Sequence, residues 1–210
     1  MEENNDAEFD EDMEEEKTEK ELNVLEERLN VDIEDYDAHV SKIKLLKTIG
    51  ELDDLRIARK KFAEIYPLTP ELWIEWIQDE TNLAESEEEK RCIQELFDTA
   101  VKDYLSVDLW LEYCQFSIGG ISKPGGIENA RIIFERAIAA AGIHLSRGSL
   151  LWEAYREFEN ILILMQHSNE EKQSQKERVN KLFKRQLSIP LLGKSNFLRL
   201  IMKRNCNTDI

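Results

Sequence analysis

The apolar positions of this chain fall at helical spacing and recur. An aromatic pair three residues apart occurs as Trp73 with Trp76, Trp110 with Tyr113 and Trp152 with Tyr155, each behind a leucine, Leu72, Leu109 or Leu151. Residues three apart share one helix face, so each pair predicts a wide apolar ridge that has to be buried against a neighbouring helix. A second phrase follows each ridge. It is clearest from Ala130 to Ile138, which contains Arg131, Phe134, Glu135, Arg136 and Ala137, and it is echoed around Phe62, Phe97 and Phe183. One repeat therefore holds two helices. The ridges lie 37 residues apart from Trp73 to Trp110 and 42 from Trp110 to Trp152. That period predicts an all-α solenoid of antiparallel helix pairs, a superhelix of about four repeats.

Stripes and breakers place the helices. Tyr36, Val40 and Ile43 mark successive turns of a first helix over about 36–48, which Gly50 ends. Leu55, Ala58, Phe62 and Ile65 form the stripe of its partner over about 53–66, stopped by Pro67. Thr69, Pro70 and Glu71 supply a capping oxygen, a first-turn proline and an acid at the positive end of the dipole, so a helix is expected over about 70–83. Its mate, over about 86–104, opens with Glu87, Glu88 and Glu89. The third pair covers about 107–117 and 126–141, and the fourth about 149–165 and 170–187, closed by Pro190.

Charge changes the picture at the ends. The net charge is -16, yet residues 1–37 hold 18 acids and 3 bases, which leaves 26 acids and 25 bases in the rest. The body is almost neutral and the acidity belongs to a leader. Glu11 to Glu16 place five acids in six positions, too little apolar surface to offset ordering entropy. Residues 1–34 are therefore expected to form an acidic disordered leader, with a short helix over about 19–29 set by Leu22, Leu25 and Leu29. Such a leader serves solubility; the alternative is electrostatic mimicry of nucleic acid at a basic surface. Residues 35–190 are expected to be the solenoid, and 191–210 a divergent tail in which Phe197, Leu198, Ile201 and Met202 make a short cap helix. No apolar run reaches the ~18 residues of a membrane span. The acidic start lacks a signal-peptide pattern, which predicts an intracellular protein. Cys92, Cys114 and Cys206, odd in number and far apart, predict reduced thiols.

Candidate chemistry is thin. The loop from Gly119 to Gly126 is rich in glycine but lacks the glycine-lysine step of a phosphate-binding loop, and Gly193-Lys194-Ser195 would need a glycine where Ser188 stands. A flexible interhelix turn is expected for the first, with contact to a partner as its other use. His39, His144 and His167 fall on different repeats without the spacing of paired metal ligands. His39 and Cys114 sit on core-facing stretches and are expected to pack. Nucleophile elbows and zincin motifs do not occur in the sequence. The expectation is a protein that is not an enzyme, with no cofactor and no metal.

The two phrases together resemble HAT (half-a-tetratricopeptide) repeats. Trp73-x-x-Trp76-x-x-x-Glu80 and Trp152-x-x-Tyr155-x-x-x-Glu159 carry the first-helix pattern, whereas the ridge at Trp110 and Tyr113 has Ser117 where glutamate is expected. The second-helix pattern is complete at Ala130 to Ile138, partial at Ala58, Arg59 and Phe62, and reduced at Phe97 and Phe183. Ordinary tetratricopeptide repeats fit less well, because no leucine-glycine step follows these tryptophans. Longer strings, such as Tyr66-Pro67-Leu68-Thr69-Pro70-Glu71-Leu72-Trp73 and Arg185-Gln186-Leu187-Ser188-Ile189-Pro190, are similar to the amino-terminal HAT region of nuclear U4/U6 snRNP recycling factors. The resemblance spans roughly residues 36–190. It implies a nuclear protein of pre-mRNA splicing, a non-catalytic scaffold that docks spliceosomal snRNP proteins and other nuclear proteins on its HAT surface. In those factors a longer array precedes two RNA-recognition motifs; no RNP phrase occurs here, so RNA contact is expected to be indirect or weak. The alternative is direct RNA binding through the basic face of the last repeat, with Lys181, Lys184 and Arg185. No further aromatic ridge follows Pro190, which predicts a truncated form of the longer chain.

Overall fold

The computed structural model describes residues 3–191, with side chains from Glu16 on, and within these the chain is helices joined by turns. The helices are α1 Glu3–Val31, α2 Tyr36–Ile49, α3 Leu52–Ile65, α4 Pro70–Leu83, α5 Glu87–Asp103, α6 Val107–Ile118, α7 Gly126–Ala141, α8 Gly148–Met165 and α9 Asn169–Leu187. They form two compact units, one ending at Leu68 and holding α1 to α3, the other beginning at Thr69 and holding α4 to α9. The proposed cap residues Phe197, Leu198, Ile201 and Met202, with Gly193 and Cys206, lie outside the described residues.

The acidic leader is a correction. Composition predicts disorder there with a short helix over about 19–29, yet α1 runs from Glu3 to Val31. No glycine or proline interrupts that stretch, and Glu, Lys, Leu and Met are strong helix formers. Glu16 and Lys20 add a pair one turn apart at 2.7 Å, with the glutamate on the favourable N-terminal side. Side chains then tie the helix down: Glu26 meets Lys42 of α2 at 2.7 Å, and Arg28 meets Asp35 at 2.7 Å. Residue 34 is accordingly no boundary, since α1 packs on α2 and belongs to the first unit.

Helix ends follow local chemistry. Asp35 caps α2 by accepting from the Ala38 amide, and Gly50 closes it at φ +86, a left-handed conformation that costs glycine little. Thr69 accepts from the Leu72 amide ahead of Pro70. Ser86 with Glu89, and Ser168 with Glu171, form reciprocal capping boxes on α5 and α9. The acids after Ser86 therefore do more than meet a dipole.

In the first unit Phe62 of α3 is 1% exposed beside buried Ala38, Ile43 and Leu46 of α2. His39 stacks on Phe62 with ring centroids 5.1 Å apart, and its Nε2 lies 2.9 Å from the Ile33 carbonyl. In the second unit α6 packs on α4, α5 and α7, and α8 packs on α6, α7 and α9, so each helix pair covers the one before it. Cys114 is buried in α6, which pushes its thiol up to about 12; Cys92 is exposed, and neither is bonded to another cysteine. The glycine loop between α6 and α7 is a hydrogen-bonded turn, with the Lys123 amide donating to Gly120 and the Gly126 amide to Lys123. Its two strands of backbone approach so closely that a Cβ on Gly126 would sit 2.1 Å from the Gly120 oxygen.

Candidate functional site

The aromatic ridges of the second unit are buried, Trp73, Trp76, Trp110, Tyr113, Trp152 and Tyr155 being at most 4% exposed. Trp73 and Trp76 stack at 5.3 Å; Trp73 Nε1 donates to Asp103 at 2.9 Å and Trp76 Nε1 to Glu80 at 3.3 Å. The next two ridges share one joint. The phenylalanine of a pair's second helix stacks on the tyrosine of the next pair's first helix, Phe97 on Tyr113 at 4.6 Å and Phe134 on Tyr155 at 4.8 Å. An acid follows each phenylalanine, Asp98 or Glu135, and an arginine from the next pair reaches back to it. Arg136 donates to Asp98 at 2.8 Å, and Tyr113 Oη donates to the same carboxylate oxygen at 2.9 Å. Arg185 forks onto both oxygens of Glu135 at 2.8 Å each. Each guanidinium also lies over a ring, Arg136 at 5.6 Å from Trp110 and Arg185 at 5.4 Å from Trp152. Burial and the bond to Asp98 push the Tyr113 phenol up to about 12; burial and the charge of Glu135 raise Tyr155.

A second network lies between α7, α8 and α9. Glu159 of α8 has no exposed surface and takes a bidentate grip from Arg131, at 2.9 Å from Nε and 3.0 Å from Nη2. Arg131 also donates to Gln175 at 3.2 Å and to Glu128 at 2.5 Å, while the Gln175 amide bonds the Glu159 carbonyl at 3.1 Å and its carboxylate. A buried charge needs such complete pairing. The preceding pair has the same register but other residues. Gln94 stands three before Phe97 as Arg131 stands three before Phe134, Ser117 seven after Trp110 as Glu159 after Trp152, and Gly126 eight before Phe134 as Gln175 before Phe183. All three substitutions are smaller and uncharged. The departure at Ser117 is one member of a matched set, and a cleft of about 860 Å³ opens beside Gln94, Ser117 and Gly126.

The other residues singled out by sequence have plainer places. Ala137 is fully buried; Phe183 is half-buried under Arg156, whose guanidinium lies 4.2 Å from its ring centre; Pro190 is exposed just past α9. Lys181 and Lys184 are exposed, whereas Arg185 is committed to the joint. Sequence reasoning missed Asp98, Asp103 and Gln175. The signal for Asp98 was present, since an acid directly follows phenylalanine in both phrases of the joint. Trp110 Nε1 and Gln186 Oε1 are buried without a hydrogen-bond partner. Among the described residues no group of His, Cys, Asp and Glu is placed to hold a metal ion, and no helix is long and apolar enough to cross a membrane.

Helix pairs that cover one another through buried aromatic ridges define a helical-repeat protein of the solenoid class. The PRP39 N-terminal HAT repeat family matches residues 23–199, and the chain belongs to the HAT-repeat family. It is 46% identical over 171 residues to the spliceosome associated factor 3, U4/U6 recycling protein, of Homo sapiens, covering 81% of this chain and 17% of that protein. The protein so named in Danio rerio is 43% identical over 182 residues, with 82% and 19% covered. The mRNA 3'-end-processing protein RNA14 of Yarrowia lipolytica is 26% identical over 177 residues, with 81% and 21% covered. The chain thus spans about a fifth of the length of the curated relatives it matches.

Proposed function

We propose that this chain is a non-catalytic protein-docking scaffold in spliceosomal U4/U6 snRNP assembly and recycling, acting in the nucleus on snRNP proteins. The observation that carries the reading is the 46% identity over 171 residues to a protein whose name states U4/U6 recycling. The geometry supports it: the large rings and the joint arginines hold helix pairs together, which leaves the outward helix faces, with exposed apolar residues such as Ile132, Ile161 and Leu164 among polar ones, to meet partner proteins. The test is affinity purification from nuclear extract with the chain as bait. U4/U6 snRNP proteins should be recovered and should be lost when outward-facing residues are substituted; a bait that retains none of them removes the reading.

A second reading, direct RNA binding, has one observation in its favour. Lys181 and Lys184 are exposed on α9 and have no acidic partner among the described residues. Phosphate contacts would show as a steep loss of affinity with salt, which docking on apolar and amide groups does not give.

A further inference from the structure

The cleft beside Gln94, Ser117 and Gly126 belongs to neither repeated network, and its position explains its origin. By register it stands where the Arg131, Glu159 and Gln175 cluster fills the following repeat, so it is a joint from which the filling has been removed. Its floor is apolar, from Ile77, Phe97 and Phe116. Around it stand Gln78, Asn82, Gln94, Gln115 and Asn129, and none of these side chains has a hydrogen-bond partner among the described residues. The volume, about 860 Å³, falls within the range of sites that bind small ligands.

The geometry points to this cleft as a docking site for an extended, uncharged peptide segment of a partner protein, seated by one apolar side chain. This deepens the docking reading and rests on it. The occupant follows from the charge and the donor balance. Lys123 and Lys90 share Glu87, Arg91 pairs with Glu88, and Glu112 also lines the cleft, so three cations stand against three acids there. A polyanion would find no surplus positive charge there. A peptide main chain offers one donor and one acceptor per residue, and a carboxamide offers both in return, so five carboxamides around an apolar floor match a strand of backbone. Phe116, half-buried and tilted against the buried Phe97 at 5.4 Å, supplies the surface for its side chain.

Refilling the cleft tests it. Gln94→Arg with Ser117→Glu rebuilds the ion pair of the next repeat, and a second variant, Gln115→Ala with Asn129→Ala, strips exposed amides without touching the core. A display library of random peptides is panned on the wild-type chain, and selected peptides are titrated against all three proteins, with amide resonances of Gly119, Gly120 and Gly125 followed by NMR. Far-UV circular dichroism confirms that both variants fold. Selected peptides should share an apolar residue, shift those glycines and bind each variant about tenfold more weakly or worse. Peptides that bind all three proteins equally overturn the cleft while leaving a docking scaffold in place. A library that yields no binder overturns it as well, and recovery of snRNP proteins from extract judges the broader reading separately.

Discussion

Glu159 and Tyr113 show how single side chains hold this array. Glu159 is a carboxylate with no exposed surface, and Arg131 answers it with two bonds. Glu159→Ala removes two bonds to that guanidinium but leaves Glu128 and Gln175 beside it, so a loss of about 1 to 3 kcal/mol is expected in urea unfolding. Replacing both partners with methionine should recover most of it, because the desolvation cost disappears with the pair. Tyr113 answers to alkali. Its phenol is raised from 10.0 to about 12 in the fold, so the stability it contributes is whole below about pH 10 and is lost as pH climbs through 12. Absorbance at tyrosinate wavelengths should therefore show a late component that shrinks in Tyr113→Phe, the remainder coming from Tyr155.

At the scale of the element, packing is set by close approach as much as by ridge area. Trp152 Nε1 donates to the Gly142 carbonyl at 3.0 Å, and a Cβ at residue 142 would stand 2.9 Å from that nitrogen. Gly148 is as confined, with a Cβ position 2.5 Å from the Gly142 oxygen. Trp152→Ala should cost about 3 to 5 kcal/mol in a thermal melt and Gly142→Ala about 1 to 3, whereas Glu153→Ala on the exposed face should leave the midpoint unchanged. The helices were legible because their signals are local: Thr69 before Pro70, Gly50 after a stripe, tryptophan three before an aromatic. α1 was legible over about 19–29 but not ahead of it, because the run of acids there outweighed the unbroken succession of helix formers without glycine or proline. The joints were half legible. Phe134, Glu135 and Arg136 stand out as a phrase, but nothing local says that Arg136 serves the acid of the previous phrase and Arg185 the acid of this one. Likewise, Ser117 reads as an isolated lapse until Gln94 and Gly126 are seen beside the same cleft.

Across the whole molecule the charges sort by region. With 18 acids in residues 1–37 and a body near neutrality, the chain presents little field that favours a polyanion. Purified alone it should bind U4 or U6 RNA weakly or not at all at physiological salt, and a submicromolar complex in a gel-shift assay would contradict this. Removing the acidic residues 2–15, ahead of the ion pairs that hold α1, should strengthen whatever weak binding exists. The joint, finally, has a polarity. The α6–α7 pair carries a socket, Tyr113 with Arg136, and a plug, Glu135, that fit each other, so copies of that one pair joined in tandem should lock head to tail and serve as a module for arrays of chosen length. α9 breaks the rule: Lys184 follows Phe183 where Asp98 and Glu135 follow theirs, so an incoming arginine there would meet its own sign. Lys184→Glu is the single edit that would give α9 a plug.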